Sequence, residues 1–232
     1  MGRKMIVIPG EKIRKILKVV IPGLLIPVLI LFAYFSTRLK NYTVITLVLL
    51  FLSLILFMCS YEKKRIGSRR LVLASVMTAL AVTGRFIPVL KPMAAIVVIT
   101  GIYLGSETGF LVGALTAVIS NFYFGQGPWT PFQMFALGSI GFMAGVLNKP
   151  LKQNSILLVF YGVVTGILYS MIMDIWTVLW YGEGFQFTLY LASQAAALPF
   201  TISYAVSNAL FLWFMIRPFG DKLERIGIKY GI

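Results

Sequence analysis

Long, continuous apolar runs separated by short polar or basic stretches dominate this sequence. Eight runs can be distinguished, at about 19–36, 42–59, 71–89, 93–106, 109–124, 132–148, 154–178 and 189–216. Several approach the roughly 20 helical residues that are needed to cross a hydrocarbon core about 30 Å thick. Their apolar positions do not alternate with a period of two, as they would in a membrane β-barrel. The pattern therefore predicts an all-α membrane protein with eight crossings.

Basic residues are concentrated in every second connecting segment. With the amino terminus inside, the inner segments carry 17 Lys and Arg residues and the outer segments carry 4. Because cytoplasmic loops are enriched in Lys and Arg, both termini are expected in the cytoplasm and the loop FGQGPWTP outside. The net charge of +14 then reflects topology and anionic lipid headgroups, and no nucleic-acid partner is expected.

The composition of the helices changes at a basic linker. We divide the chain into an N-terminal region with a transmembrane hairpin (1–62), the cytoplasmic linker (63–70) and a six-helix domain with a basic tail (71–232). The hairpin is rich in Leu, Ile and Val, whereas the six-helix domain carries small residues at close spacing: Gly101, Gly105, Gly109, Gly113, Ala117, Gly138, Gly141, Ala144 and Gly145. Small residues let helix backbones approach closely in a membrane, so the second region is expected to form a compact bundle.

Catalytic chemistry is disfavoured by the residues that are missing. The chain has no His, a single Cys and seven Asp and Glu residues, of which only Asp174 is expected at membrane depth. Such a set supplies neither a His–Glu–His metal site nor a pair of intramembrane carboxylates. A phosphate-binding loop of the Gly-rich type is also absent from the sequence. We therefore expect a protein that is not an enzyme and has no metal or cofactor.

Polar and aromatic side chains gather at the predicted outer ends of the helices, in TGRFIP, FGQGPWTPFQM and MDIWTVLWYGEGF. The candidate binding residues are Arg85, Asn121, Tyr123, Gln126, Trp129, Gln133, Asp174 and Trp180. Glycines and prolines on both sides of Trp129 predict a rigid loop, which membrane proteins tolerate mainly where it lines a cavity. The loop is thus interpreted as a wall or lid of an outward-facing pocket. Three simpler interpretations stay open: Trp176 and Trp180 as interfacial aromatics, Asp174 as a helix-end residue rather than a partner of Arg85, and Gln133 as an ordinary polar residue of a first helical turn.

Residues 71–216 resemble the substrate-binding S component of energy-coupling factor (ECF) vitamin transporters. The resemblance rests on LASVMTALAVTGRFIP, on the glycine-rich segment from Gly101 to Leu147 with its FGQGPWTPFQM loop, and on the six-span layout. The loop is most similar to members assigned to corrinoids such as cobalamin. The resemblance implies a multi-pass subunit of the plasma membrane that captures a vitamin for ATP-driven uptake. Its partners would be a membrane scaffold (T) subunit and two ATP-binding (A) subunits, with ATP hydrolysis confined to the latter.

The resemblance also implies a docking face for the scaffold subunit on the first helix of the domain. The family uses small residues there, usually Ala-x-x-x-Ala. In this sequence the matching helix offers Ala74 with Thr78 and Ser75 with Ala79. Both pairs keep small side chains, so we expect these four residues to form the partner interface.

The ligand itself is less constrained by the sequence. Arg85 and Lys91 are the only cations expected at the outer end of the bundle, which argues against a polyanionic vitamin. Amide and aromatic side chains suit a large, mostly neutral ligand, and cobalamin is the first expectation. The alternatives are another small heterocycle, such as riboflavin or a queuosine precursor, and a structural or assembly membrane protein that transports nothing.

Overall fold

The computed structural model describes residues 11–37, 41–59, 68–88, 90–182 and 184–230, and most of these residues are helical. Within these ranges there is no β-strand. The helices are α1 (Glu11–Val20), which continues through a π-helical turn (Ile21–Leu25) into α2 (Ile26–Thr37), α3 (Tyr42–Cys59), α4 (Ser68–Arg85), α5 (Met93–Leu104), α6 (Ser106–Phe124), α7 (Thr130–Val146), α8 (Asn148–Gln153), α9 (Ser155–Tyr181) and α10 (Phe187–Tyr230).

The all-α prediction is confirmed, and each predicted apolar run coincides with a helix to within a few residues at most ends. Four differences stand out. The first helix begins at Glu11, well before the predicted start at 19, and α10 continues well beyond residue 216. In addition, α4 begins at Ser68, inside the predicted linker, whose residues 63–67 lie outside the described ranges, and the short helix α8 was not predicted. Four segments are long and apolar enough to cross a membrane, namely Ile13–Phe35, Tyr42–Cys59, Ser155–Tyr181 and Phe187–Lys229. The eight crossings and the cytoplasmic termini remain predictions.

The two ends of the bundle differ in chemistry. One end, here called the aromatic end, carries the C-terminus of α4, the turn between α6 and α7, and the turn between α9 and α10. The opposite end, here called the basic end, carries two ion pairs: Lys18 Nζ lies 2.7 Å from Glu107 Oε1, and Lys152 Nζ lies 2.9 Å from Glu224 Oε1. At the same end Arg70 of α4 donates a hydrogen bond to the carbonyl of Leu104. The candidate binding residues belong to the aromatic end.

Glycines bring α5, α6 and α7 into backbone contact. A Cβ atom on Gly101 would overlap the carbonyl oxygen of Gly141, and a Cβ on Gly109 would do the same. Conversely, a Cβ on Gly141 would overlap the carbonyl of Gly109, and one on Gly113 would overlap that of Leu137. The predicted packing role of the glycine series is thus seen at these positions. Gly105 has another role, because its φ of 96° forms the tight turn between α5 and α6.

The N-terminal hairpin packs on the six-helix domain. Its helix α3 contacts α6 and α7, with Phe57 buried against Leu111. The ion pair between Lys18 and Glu107 joins the first helix to the start of α6, where Glu107 is buried. A buried carboxylate is costly without a cation beside it, and the hairpin supplies that cation. The hairpin is therefore attached by specific contacts as well as by apolar surface.

The glycine contacts lead to a stability prediction. Gly141→Ala places a methyl group against the backbone of Gly109, so α6 and α7 must separate, and we expect a loss of about 1–3 kcal/mol. Gly23→Ala is the control, because no atom lies within 4 Å of the Cβ position there. The midpoint of thermal unfolding in detergent measures both. Equal midpoints for the two variants would show that the close approach does not stabilise the bundle.

Candidate functional site

Four buried polar side chains form a connected cluster towards the aromatic end, here called the polar floor: Asn121, Thr130, Gln133 and Tyr169. Asn121 Nδ2 donates to Thr130 Oγ1 (2.9 Å) and to Gln133 Oε1 (2.7 Å), and Gln133 Nε2 donates to Tyr169 Oη (3.3 Å). Asn121 lies in the last turn of α6, and Thr130 and Gln133 lie in the first turn of α7. Because only a short loop separates these helices, their polar ends face each other and reach α9.

Arg85 attaches a positive charge to this cluster. Its Nη1 donates to Asn121 Oδ1 at 2.7 Å and to Ser120 Oγ at 2.5 Å, and its guanidinium carbon lies 4.6 Å from the centre of the Phe124 ring. These described partners are all neutral. The charge of Arg85 is therefore held in place by the polar floor without being cancelled there, and it can attract an electron-rich group of a solute.

The loop between α6 and α7 is held by its own polar groups. Gln126 Nε2 donates to the carbonyl of Val118 (2.9 Å), and Gln126 Oε1 accepts from Thr130 Oγ1 (3.0 Å). Gly125 ends α6 with a φ of 98°, a conformation that favours glycine. Gly127 leaves room for the ring of Trp129, which would collide with any Cβ at that position. The glycines thus fold Trp129 back over the loop, towards the bundle.

Trp129, Trp176 and Trp180 pack together at the same end and are called the tryptophan cluster below. Trp129 meets Trp176 edge to face with ring centroids 5.6 Å apart, and Trp180 stacks on Trp176 at 6.5 Å. Trp176 follows Tyr169 by two turns of α9, which is about 10 Å along the helix. The tryptophan cluster therefore stands above the polar floor on the side where α7 and α9 meet. The Nε1 atom of Trp176 is buried and has no hydrogen-bond partner among the described residues.

The structure brings most of the predicted binding residues together. Arg85, Asn121 and Gln133 share one hydrogen-bond network, to which Gln126 is linked through Thr130. Trp129 and Trp180 belong to the tryptophan cluster, and the other two candidates lie apart from both groups. Tyr123 is 74% exposed and packs on the rings of Phe86 and Phe124. Asp174 is buried between α9 and α10, where its Oδ2 accepts a 2.6 Å hydrogen bond from Gln194, so it does not pair with Arg85.

Several residues seen at this end were not named as binding residues from the sequence: Thr130, Tyr169 and Trp176 of the candidate site, and Gln194, which binds Asp174 beside it. Helical spacing offered a signal for two of them, because Tyr169, Trp176 and Trp180 recur at seven and four residues and so share one face of α9. Gln194 lies on another helix, and only the tertiary contact identifies it. Among the described residues no group of three His, Cys, Asp or Glu residues could hold a metal ion.

The four residues expected at the partner interface separate into two pairs. Ala74 and Thr78 are buried against the rest of the bundle, whereas Ser75 and Ala79 are exposed. Thr83 continues the exposed pair by one more turn. The side chains of Ser75, Ala79 and Thr83 are small. The hydroxyl groups of Ser75 and Thr83 donate to backbone carbonyls of their own helix, so these three side chains offer few free polar groups. Of the four residues expected at the interface, Ser75 and Ala79 are thus the two that are accessible to another protein.

Comparison with known families adds one finding. A family model described as ECF-type riboflavin transporter, S component, matches residues 65–217, about two thirds of the chain. The matched segment contains the polar floor and the tryptophan cluster and excludes the N-terminal hairpin. No curated protein and no solved structure matches the chain.

The network of the polar floor can be tested by removing its central amide. Asn121→Leu leaves Arg85, Thr130 and Gln133 without a shared partner, and each buried group that loses its hydrogen bond costs about 1–3 kcal/mol. Ser120→Ala removes only one contact of Arg85 and should cost less. Thermal unfolding of both variants gives the comparison. A Ser120→Ala variant that is less stable than Asn121→Leu would contradict the central role of Asn121.

Proposed function

The chain belongs to the S-component family of ECF transporters, and on this premise we propose that it captures riboflavin or a closely related flavin at the aromatic end of the bundle. As an S component it is the substrate-specific membrane subunit of such a transporter, and it is a binding and transport subunit rather than an enzyme. It is an integral protein of the plasma membrane. Membership of the family implies association with T and A subunits, for which we propose the predicted stoichiometry of one T and two A subunits.

The proposed location of the flavin site rests on one observation, which is that the polar floor lies beneath the tryptophan cluster. A flavin combines a planar aromatic ring, carbonyl and imide groups on the ring edge, and a chain of hydroxyl groups. Indole rings stack on such a ring, and the amides of Asn121 and Gln133 can both donate and accept hydrogen bonds. A mostly apolar pocket with a few placed polar groups is the usual form of a small-molecule site. We expect Asp174 and Tyr123 to lie outside this site.

Two arguments favour a flavin over the corrinoid that the loop sequence suggested. The first is the description of the matching family, which names riboflavin. The second is that side chains of the site already contact one another: Gln133 is hydrogen-bonded to Tyr169, and Trp129 packs on Trp176. A single planar ring displaces fewer of these contacts than a corrin ring with its side chains. Cobalamin and the queuosine precursor remain the alternative ligands.

The exposed small face of α4 supports a proposal for the scaffold subunit. Ser75 and Ala79, extended by Thr83, would let a helix of the T subunit approach the backbone of α4 closely. The same face stays exposed with the N-terminal hairpin in place, so the hairpin does not block it. The excess of Lys and Arg at the basic end favours a cytoplasmic position for that end, which leaves the proposed flavin site open to the outside.

Ligand binding is the direct test. The chain purified in detergent should bind riboflavin and quench its fluorescence, because the ring would stack in the tryptophan cluster. Trp129→Ala should weaken the affinity about tenfold or more, since it removes a stacking wall. Trp213→Ala is the control, because Trp213 lies near the basic end beside Arg217. Binding of cobalamin without binding of riboflavin would overturn the flavin assignment and restore the corrinoid one.

The docking proposal is tested by adding bulk to α4. Ala79→Phe should abolish co-purification with the T subunit, because the larger side chain prevents close approach of two helices. Riboflavin binding by the same variant should be unchanged, as Ala79 lies on the exposed surface away from the polar floor. Val28→Phe adds similar bulk to an exposed position of the hairpin and serves as the control. Undiminished assembly of Ala79→Phe with T and A subunits would place the interface elsewhere.

A further inference from the structure

The indole N–H of Trp176 is an unusual group in this site. Its Nε1 atom is buried, and no acceptor among the described residues lies within hydrogen-bond distance. Buried indole N–H groups normally have a partner, because an unsatisfied donor away from water costs about 1–3 kcal/mol. The unpartnered donor therefore needs an explanation in this structure.

The described neighbours of Trp176 do not provide the missing acceptor. Trp129 packs edge to face on its ring at 5.6 Å, and Trp180 stacks on it at 6.5 Å. An indole has an N–H donor and no acceptor nitrogen, so neither tryptophan can satisfy Trp176. The ring of Tyr181 also packs edge to face on Trp176, at 6.4 Å, but its hydroxyl oxygen does not lie within hydrogen-bond distance of Nε1. The polar floor begins two turns lower on α9, at Tyr169, which is about 10 Å away along the helix. These ring contacts hold Trp176 in position while its N–H has no partner among the described residues.

We propose that Trp176 Nε1 is a specificity-determining hydrogen-bond donor that binds an acceptor, a carbonyl oxygen or an unprotonated ring nitrogen, on the edge of the captured heterocycle. The inference rests on the proposed function and deepens it, because it defines which edge of the ligand is recognised. A group that can only donate does not satisfy Trp176. The hydroxyl chain of a flavin is then left for the amides of the polar floor, while the ring edge lies at the tryptophan cluster.

Affinity measurements with two ligands test this arrangement. Trp176→Phe keeps an aromatic ring but removes the N–H, and it should weaken riboflavin binding by on the order of tenfold. Lumiflavin has the same ring without the hydroxyl chain, so its affinity should fall by the same factor. Trp213→Phe, near the basic end, should bind both ligands as the wild type does. Equal affinities of wild type and Trp176→Phe for both ligands would overturn the inference and leave the proposed function intact.

A second measurement on the wild-type chain separates a lost hydrogen bond from a disturbed ring, and it needs no stable variant at position 176. In protein labelled with ¹⁵N-tryptophan, the Trp176 indole proton should move downfield and exchange more slowly with water when riboflavin is added. Its resonance is assigned by elimination with Phe substitutions at Trp129, Trp180 and Trp213. An unchanged indole proton at saturating riboflavin would refute the hydrogen bond. Failure of the wild type to bind any flavin would instead overturn the proposed function, and the inference with it.

Discussion

Backbone contact between α5, α6 and α7 determines where the residues of the polar floor lie relative to one another. Apolar side chains give helices little reason to associate in lipid, where the surrounding tails are equally apolar, so close packing of small residues has to hold them together. Gly101, Gly109 and Gly141 provide that packing by leaving no atom between adjoining backbones. The end of α6 and the start of α7 are thereby fixed within one side-chain length of each other.

Polar chemistry in the site depends on this spacing. Asn121 and Gln133 are on different helices, and a 2.7 Å hydrogen bond between them tolerates little separation of those helices. Arg85 is held by the same amide, so the position of its charge also follows from the contact between α6 and α7. The side-chain amides of Asn121 and Gln133 are already hydrogen-bonded within the protein, without a ligand. Solute binding must therefore exchange hydrogen bonds that already exist, whereas the N–H of Trp176 forms a new one.

The helices and the glycine packing could be predicted because both are local patterns: apolar runs of membrane length, and small residues four apart. The members of the site were also largely predictable at Arg85, Asn121, Trp129 and Gln133, since they flank one short loop. Asp174 and Tyr123 do not join the hydrogen-bond network of the polar floor, and the sequence could not show this, because the direction of a helical side chain depends on the rotation of its helix against its neighbours. Contacts between distant helices could not be predicted in this way. Gln194 is an example, because its hydrogen bond to Asp174 joins α10 to α9 and no local pattern in either helix indicates it.

The ion pair between Lys18 and Glu107 has a consequence for how the chain is made. The N-terminal hairpin precedes α6 along the chain, so Lys18 is synthesised before its acidic partner. In the folded chain α6 packs against α3, and Lys18 compensates the charge of the buried Glu107. The cation that neutralises this carboxylate therefore lies outside the segment that matches the family, in the N-terminal helices.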